Sequence, residues 1–320
     1  MTRTRTALVI PFMIISALLV SGCTFFGGNT IAGQGVIIEN FVSNPRDSVY
    51  AGERFELQAK IRNIGSSDAK NVYMELYNIE TIFGGNKIDI SCTERGDLCS
   101  PEITMLAPDK ESGTEGETKA CIWDCIAPPN IQKGISVAFN PSVRVYYIYS
   151  TSIIKAVNIA SQEELTALES RGESLPLEDV STTSGPVSME IVVNGPIRYW
   201  SGEGKIKFPI NIKIQNIGGG VVCNPEQQGC QKTDNWNKAK LFFETYDMSV
   251  NLICGSGELE GNLIELWKGQ TTTLTCEIEM PVPPGSSAKY IQKNLIFKLD
   301  YAYFMDASTA VNVIGREPYI

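Results

Sequence analysis

The chain has 320 residues, 27 of them basic, 36 acidic and none histidine. The missing imidazole excludes Ser–His and Cys–His catalysis and every histidine-ligated zinc or iron site, although Ser–Lys and carboxylate chemistry stay open. The acidic balance argues against nucleic acid as a partner, because phosphate contacts need clustered Lys and Arg.

The chain opens with MTRTRTALVIPFMIISALLVSGC. Arg3 and Arg5 form a positive head, and the apolar run from Ala7 to Val20 is too short for an ordinary membrane-spanning helix. Val20-Ser21-Gly22-Cys23 follows the pattern of a lipoprotein cleavage site. Residues 1–22 are therefore expected to be a signal peptide, with Cys23 as the lipidated residue. The other reading is an ordinary signal peptide or uncleaved anchor in which Cys23 is incidental. Residues 23–35 are small and Gly-rich, which suits a flexible tether. Without Arg3 and Arg5 the balance is 25 basic against 36 acidic, near −11.

The next segment alternates. Phe55, Leu57, Ala59 and Ile61 fall on one side and Glu56, Gln58, Lys60 and Arg62 on the other. Successive strand side chains point to opposite faces, so this is a strand with one buried and one wet face. It ends in KIRNIG, Lys60–Gly65, where Asn63 and Gly65 are expected to supply the positive φ of a turn. Cys92, Cys99, Cys121 and Cys125 follow, and an acidic stretch at 107–119 carries Asp109, Glu111, Glu115 and Glu117. That stretch lacks the spacing of a calcium loop and reads as solvated. Val143, Val145, Tyr147 and Tyr149 then alternate in a late strand.

Residues 161–186 carry six acids and one base. Ser161 and Glu164 form a capping box and Gly172 suits a C′ position, so 162–171 is predicted as a short helix. The rest reads as an acidic, solvated linker.

After the linker the first pattern returns. KIQNIG at Lys213–Gly218 echoes KIRNIG, and Gly202-Glu203 echoes Gly52-Glu53. Lys205–Ile214 alternates strictly, with Pro209 on the polar side, which predicts an edge strand or a bulge. Cys121–Pro129 resembles Cys276–Pro284, and Tyr147–Ile159 matches Tyr301–Val313 without a gap. The shared order marks an internal repeat, and about seven short strands per copy suggest antiparallel sandwiches. The expected fold is all-β: two tandem immunoglobulin-like β-sandwiches, at 36–160 and 187–320.

The order Gly-Glu, strand, Asn-Ile-Gly, strand resembles the CARDB-like immunoglobulin-type domains of bacterial and archaeal surface proteins. The resemblance implies extracytoplasmic adhesion or spacing modules.

Apart from Cys23 the cysteines fall four to a copy. An even count in an exported chain reads as disulfides, and loose spacing disfavours a four-cysteine zinc site. Composition leaves three pairings per set. The repeat aligns Cys121 with Cys276 and Cys92 with Cys254, so Cys92–Cys121 and Cys254–Cys276 are the expected shared bridges. Cys99–Cys125 and Cys223–Cys230 remain as local staples. The second copy alone carries the insertion 221–237, so Asp234, Asn235 and Trp236 mark a candidate binding loop. The competing reading packs Trp236 onto the sheet. No glycosylation sequon occurs, since Asn140 precedes Pro141.

The sequence thus predicts a non-catalytic, lipid-anchored spacer or adhesion module, without cofactor or metal. It would sit on the outer face of the cytoplasmic membrane, held by membrane lipid and offered to another envelope protein. The alternatives are a solute-binding lipoprotein, which calls for parallel βαβ units that the sequence lacks, and a histidine-free envelope hydrolase.

Overall fold

The computed structural model describes residues 35–317 except 47, 96–98, 100–102, 110, 201–203, 227–228, 245–249, 256–261 and 283–289. The expected signal peptide, Cys23, nearly all of the tether and the Gly202-Glu203 pair lie outside the described residues. The fold is all-β, with a single α-helix among the described residues.

Two long strands form the spine. Ser142–Ser161 and Tyr290–Ser308 run antiparallel and pair continuously from Ser142–Ser308 to Ala160–Tyr290. At about 3.4 Å per residue each spans roughly 60 Å. They are repeat counterparts, and the register makes their pairing self-complementary. Tyr147 lies opposite Tyr303, and Tyr149 opposite Tyr301. Ile148 lies opposite Ala302, its own counterpart. A local two-fold axis therefore passes between Ile148 and Ala302, as in the isologous interface of a dimer.

The spine is the middle of a nine-stranded sheet. On the first-repeat side, Ala69–Tyr77 pairs with Ser142–Ile148 and carries Ile103–Met105 beyond it. On the second-repeat side, Lys238–Glu244 pairs with Tyr290–Ser308 and carries Leu263–Glu265. Each half stacks a four-stranded sheet on this one. The first runs in the order Val36–Asn44, Arg54–Asn63, Thr118–Ile126, Ser91–Glu94. The second runs Val187–Val193, Lys205–Asn216, Thr271–Pro281, Asn251–Cys254. The expected alternation sits as read: Phe55, Leu57, Ala59 and Ile61 are buried, as are Ile206, Phe208, Ile210, Ile212 and Ile214.

The ends of the two repeats are exchanged. Val311–Ile314, the end of the second repeat, lies between Ser136–Phe139 and Ser48–Tyr50 of the first. Ile159–Ser161, from the first repeat, pairs in parallel with Ile197–Tyr199 of the second. Ile159 and Val313 are counterparts in the repeat. Ile159 faces Ile197 and Ile291, while Val313 faces Val49 and Val137. Each repeat thus completes the other's sheet, and the described residues belong to one compact unit.

The segment expected to be a solvated linker is partly docked. The helix Gln162–Arg171 is present, with Ser161 Oγ accepting from the Glu164 amide and Gly172 in the left-handed region. Beyond it Val180–Thr182 pairs with Ile153–Lys155. Asn158 Nδ2 donates to the Pro176 carbonyl at 2.8 Å, and the Ser66 amide donates to the Ser184 carbonyl at 3.0 Å.

Two local expectations change. None of Asn63, Asn216, Gly65 and Gly218 has positive φ. The asparagines serve through their side chains. Asn63 is fully buried and donates to the carbonyls of Ser67 and Met105, both at 2.9 Å. Asn216 Nδ2 donates to the Gly220 carbonyl at 3.0 Å, and its Oδ1 accepts from the Tyr303 hydroxyl at 3.0 Å. Such a buried amide replaces the ladder bonds that the turn gives up. Gly218 is needed for close approach, since a Cβ there would run into the Tyr303 hydroxyl and Pro186. Pro209 lies on a central strand, not an edge or a bulge. It pairs with Glu277 on one flank and sits just past Val193–Ile210, the last pair of the other, where a missing N–H costs no ladder bond.

The four spine tyrosines fill the core at the axis. Tyr147–Tyr303 and Tyr149–Tyr301 have ring centroids 5.6 and 6.2 Å apart. Offset and edge contacts of this kind add to the area that the rings bury. Their hydroxyls tie the spine to the turns. Tyr149 accepts from the Ser67 amide and Tyr303 from the Gly220 amide, at 2.9 and 2.8 Å, in equivalent places of the two repeats.

Burial pushes the pKa of Tyr149 and Tyr303 up to about 12, and Tyr147 and Tyr301 are raised as well. A folded-state pKa above the ordinary value near 10 gives stability that is complete below pH 10 and lost as pH rises through the folded value. Alkaline titration is therefore expected to show these four tyrosines ionising only with unfolding, as a final cooperative step in tyrosinate absorbance, about a third of the total, that coincides with loss of β-sheet circular dichroism between about pH 10 and 12. The chain has twelve tyrosines, Tyr50 among the exposed ones, and exposed phenols ordinarily ionise near pH 10 with the fold intact; completion of the full twelve-tyrosine rise before the circular dichroism is lost would contradict a closed tyrosine core.

Candidate recognition surface

The eight cysteines other than Cys23 form four disulfides. In the second repeat Cys254–Cys276 and Cys223–Cys230 are bonded as expected. In the first repeat the pairing differs from the repeat-based expectation: Cys92 joins Cys125, and Cys99 joins Cys121. The sheet register gives the reason. Cys92 lies directly opposite Cys125, with Cα atoms 4.1 Å apart. Cys121 lies four residues earlier on the same strand and face, and reaches Cys99 with Cα atoms 5.2 Å apart. Cys121 is opposite Ala59, and Cys276 is opposite Ile210, whereas the counterpart of Ala59 is Ile212. The aligned cysteines are thus two residues out of register. A two-residue slip keeps a side chain on its face, so the hydrophobic pattern does not reveal it.

The described residues of the insertion 221–237 sit beside the axis, on the outer face of the shared sheet. Val221–Cys223 pairs with Phe304–Ala302, and Cys230 is held to Cys223. Beneath it Tyr146, Ile148, Ala302 and Phe304 form a second, smaller apolar cluster. Trp236 is half-buried against Phe304, with ring centroids 5.3 Å apart, and its Nε1 donates to the Cys230 carbonyl at 2.9 Å. This is the packed reading of Trp236. Asn235 is half-buried, and its carbonyl accepts from the Asn224 amide at 2.9 Å. Of the three candidate loop residues, Asp234 alone is fully displayed, while its carbonyl accepts from Lys238 Nζ at 2.6 Å.

The loop reaches across to the first repeat. Gln231 hydrogen-bonds Tyr73, and Tyr73 stacks on Tyr146 with centroids 4.5 Å apart. Burial pushes the Tyr146 hydroxyl up to about 12. Next to it Arg144 bonds Asp306 through Nε at 2.7 Å and Nη2 at 2.8 Å, and its guanidinium lies 4.2 Å from the Phe304 ring centre. Such a two-point pair with a stacked ring is a stiff element. Tyr73, Arg144 and Asp306 carry no sequence signal, because the sheet brings them together from strands far apart in the chain.

The acidic stretch 107–119 closes on itself. The amides and carbonyls of Asp109 and Thr114 bond reciprocally at 3.0 and 3.1 Å. Asp109 accepts from the Ser112 hydroxyl at 2.7 Å and the Glu111 amide at 2.9 Å, and these bonds lower its pKa. Among the described residues no group of three or more metal-ligating side chains comes together, and no helix is long and apolar enough to cross a membrane. The disulfides fit an oxidising, extracytoplasmic compartment.

No family model matches the sequence, and no curated protein matches it. A solved structure, the CupB6 tip adhesin of Pseudomonas aeruginosa, is similar over 89% of this chain and 97% of that one, at 9% identity and a TM-score of 0.18. At that TM-score the likeness carries no weight for fold or function.

Non-reduced digests are expected to yield the peptide pairs Cys92–Cys125 and Cys99–Cys121 by mass spectrometry. In the chain-entropy model a bridge across 33 residues contributes about 4 kcal/mol and one across 7 about 2.5 kcal/mol. Replacing Cys223 and Cys230 by Ser should therefore lower Tm less than replacing Cys92 and Cys125. It should also red-shift tryptophan fluorescence as Trp236 leaves Phe304. Recovery of a Cys92–Cys121 peptide would restore the repeat-based pairing.

Proposed function

We propose that this chain is a lipid-anchored envelope protein, a non-catalytic spacer and protein-interaction module of adhesive type on the outer face of the cytoplasmic membrane. The observation that carries the reading is the spine, shared by both repeats from Ser142–Ser308 to Ala160–Tyr290. A body built on such a ladder, with each repeat completing the other and four disulfides tying paired strands and loops, keeps its surface loops at fixed separation. That suits reach and presentation more than the opening and closing of a cleft. The Val20-Ser21-Gly22-Cys23 pattern supports the anchor, and the strand–turn–strand resemblance to CARDB-like modules agrees with an adhesion or spacing role. One acyl chain binds a bilayer only weakly, so stable attachment through Cys23 implies at least two chains.

The test is Cys23→Ser in the full chain, followed by cell fractionation and intact mass. The expected result is release from the membrane fraction and loss of the lipid mass. A variant that stays in the membrane at unchanged mass would sink the anchoring.

A further inference from the structure

The helix Gln162–Arg171 and the chain returning from it enclose a groove of about 580 Å³. Leu165 and Leu168 form one wall, Leu175 and Leu177 the other, and Val193 and Pro196 close the end. The walls are fixed in place. The Glu173 amide donates to the Leu168 carbonyl at 2.9 Å, Asn158 Nδ2 holds the Pro176 carbonyl at 2.8 Å, and Lys155 pairs with Glu178 at 3.1 Å. The returning segment therefore cannot fold in to fill the space, and Leu177 is left 93% exposed. A leucine held open beside an apolar groove is a cost to the monomer unless another surface covers it.

The charge around the groove says what covers it. The rim is acidic: Glu169, Glu173 and Glu178 line it, Lys155 is neutralised by Glu178, and Arg171 lies between Glu164 and Glu173. Glu169 has no ion-pair partner among the described residues.

We propose that this groove binds a short extended segment of a partner envelope protein that presents two neighbouring large apolar side chains flanked by Lys or Arg. The apolar pair fills the leucine-lined space, and a flanking cation meets Glu169. An anionic lipid surface would be repelled by the same rim. The inference rests on the reading of the chain as an interaction module and names the chemistry of its partner.

The test uses the full chain in mild detergent and a fluorescein-labelled peptide Gly-Lys-Leu-Phe-Lys-Gly, with Gly-Glu-Leu-Phe-Glu-Gly and phosphatidylglycerol vesicles as comparisons. Saturable binding of the Lys peptide is expected, with at least about tenfold weaker binding of the Glu peptide. Leu177→Asp, an exposed change that leaves the fold intact, should weaken binding by about tenfold or more, and Glu169→Lys by several-fold. Circular dichroism and Tm of both variants should match the parent. Absence of saturable binding, binding indifferent to both variants, or binding of the vesicles in place of the peptide would overturn the proposal. If a partner cross-linked in intact membranes is held equally well by Leu177→Asp, the groove is wrong while the interaction-module reading stands. If no partner is cross-linked by either chain, the reading itself fails.

Discussion

The backbone ladder between Ser142–Ser161 and Tyr290–Ser308 is the constraint on which the rest of the structure depends. Its register aligns the two repeats about one axis, so a single choice of pairing fixes both halves. The inward faces carry the tyrosine core, whose hydroxyls hold the turns that end the Arg54–Asn63 and Lys205–Asn216 strands. The outward faces carry Tyr146 and Phe304, which the disulfide loop covers. Shifting the ladder by one residue would turn every one of these side chains to the wrong face. Self-complementary pairing explains why the sequence repeats: two similar segments can pair antiparallel with the same residue types meeting at the centre.

The exchange of terminal strands follows from the same ladder. A strand about 60 Å long is longer than one sandwich. Past the part that pairs with its own repeat it has reached the neighbour, and its free edge needs a partner there. Ile159 finds Ile197, and Val313 finds Val49. The helix Gln162–Arg171 and the docked segment that follows it then carry the chain back along the spine. The groove between them is a by-product of that return path.

Much of this was legible in the sequence, and the reason is local physics. Alternation in Lys205–Ile214 marks a strand and its buried face because side chains alternate across the pleat. Ser161 and Gly172 mark a helix because they complete its terminal hydrogen bonds. The partner of a strand leaves no such trace. The repeated Ala-Val-Asn of 156–158 and 310–312 reads as the last strand of each repeat, and nothing in those residues tells that each sits in the other's sheet. The cysteine pairing failed for a related reason, since a slip of two residues preserves the pattern. The Asn-Ile-Gly turns were found in the right places for the wrong cause, because a buried amide and a tight approach select the same residues as a left-handed turn. Of the recognition surface, the loop was legible from its cysteines, but the cluster of Tyr73, Arg144 and Phe304 under it depends on pairing.

The central claim is that the two repeats interlock, and one cut tests it. A protease site placed at Gly172–Glu173, in the exposed turn after the helix, severs the connection between them. All four disulfides lie within one half or the other, so none bridges the cut. After complete cleavage the two fragments should co-elute at the size of the uncut protein under native, non-reducing conditions, and part only in denaturant. Elution as two separate folded fragments without denaturant would contradict the shared spine and the exchanged strands.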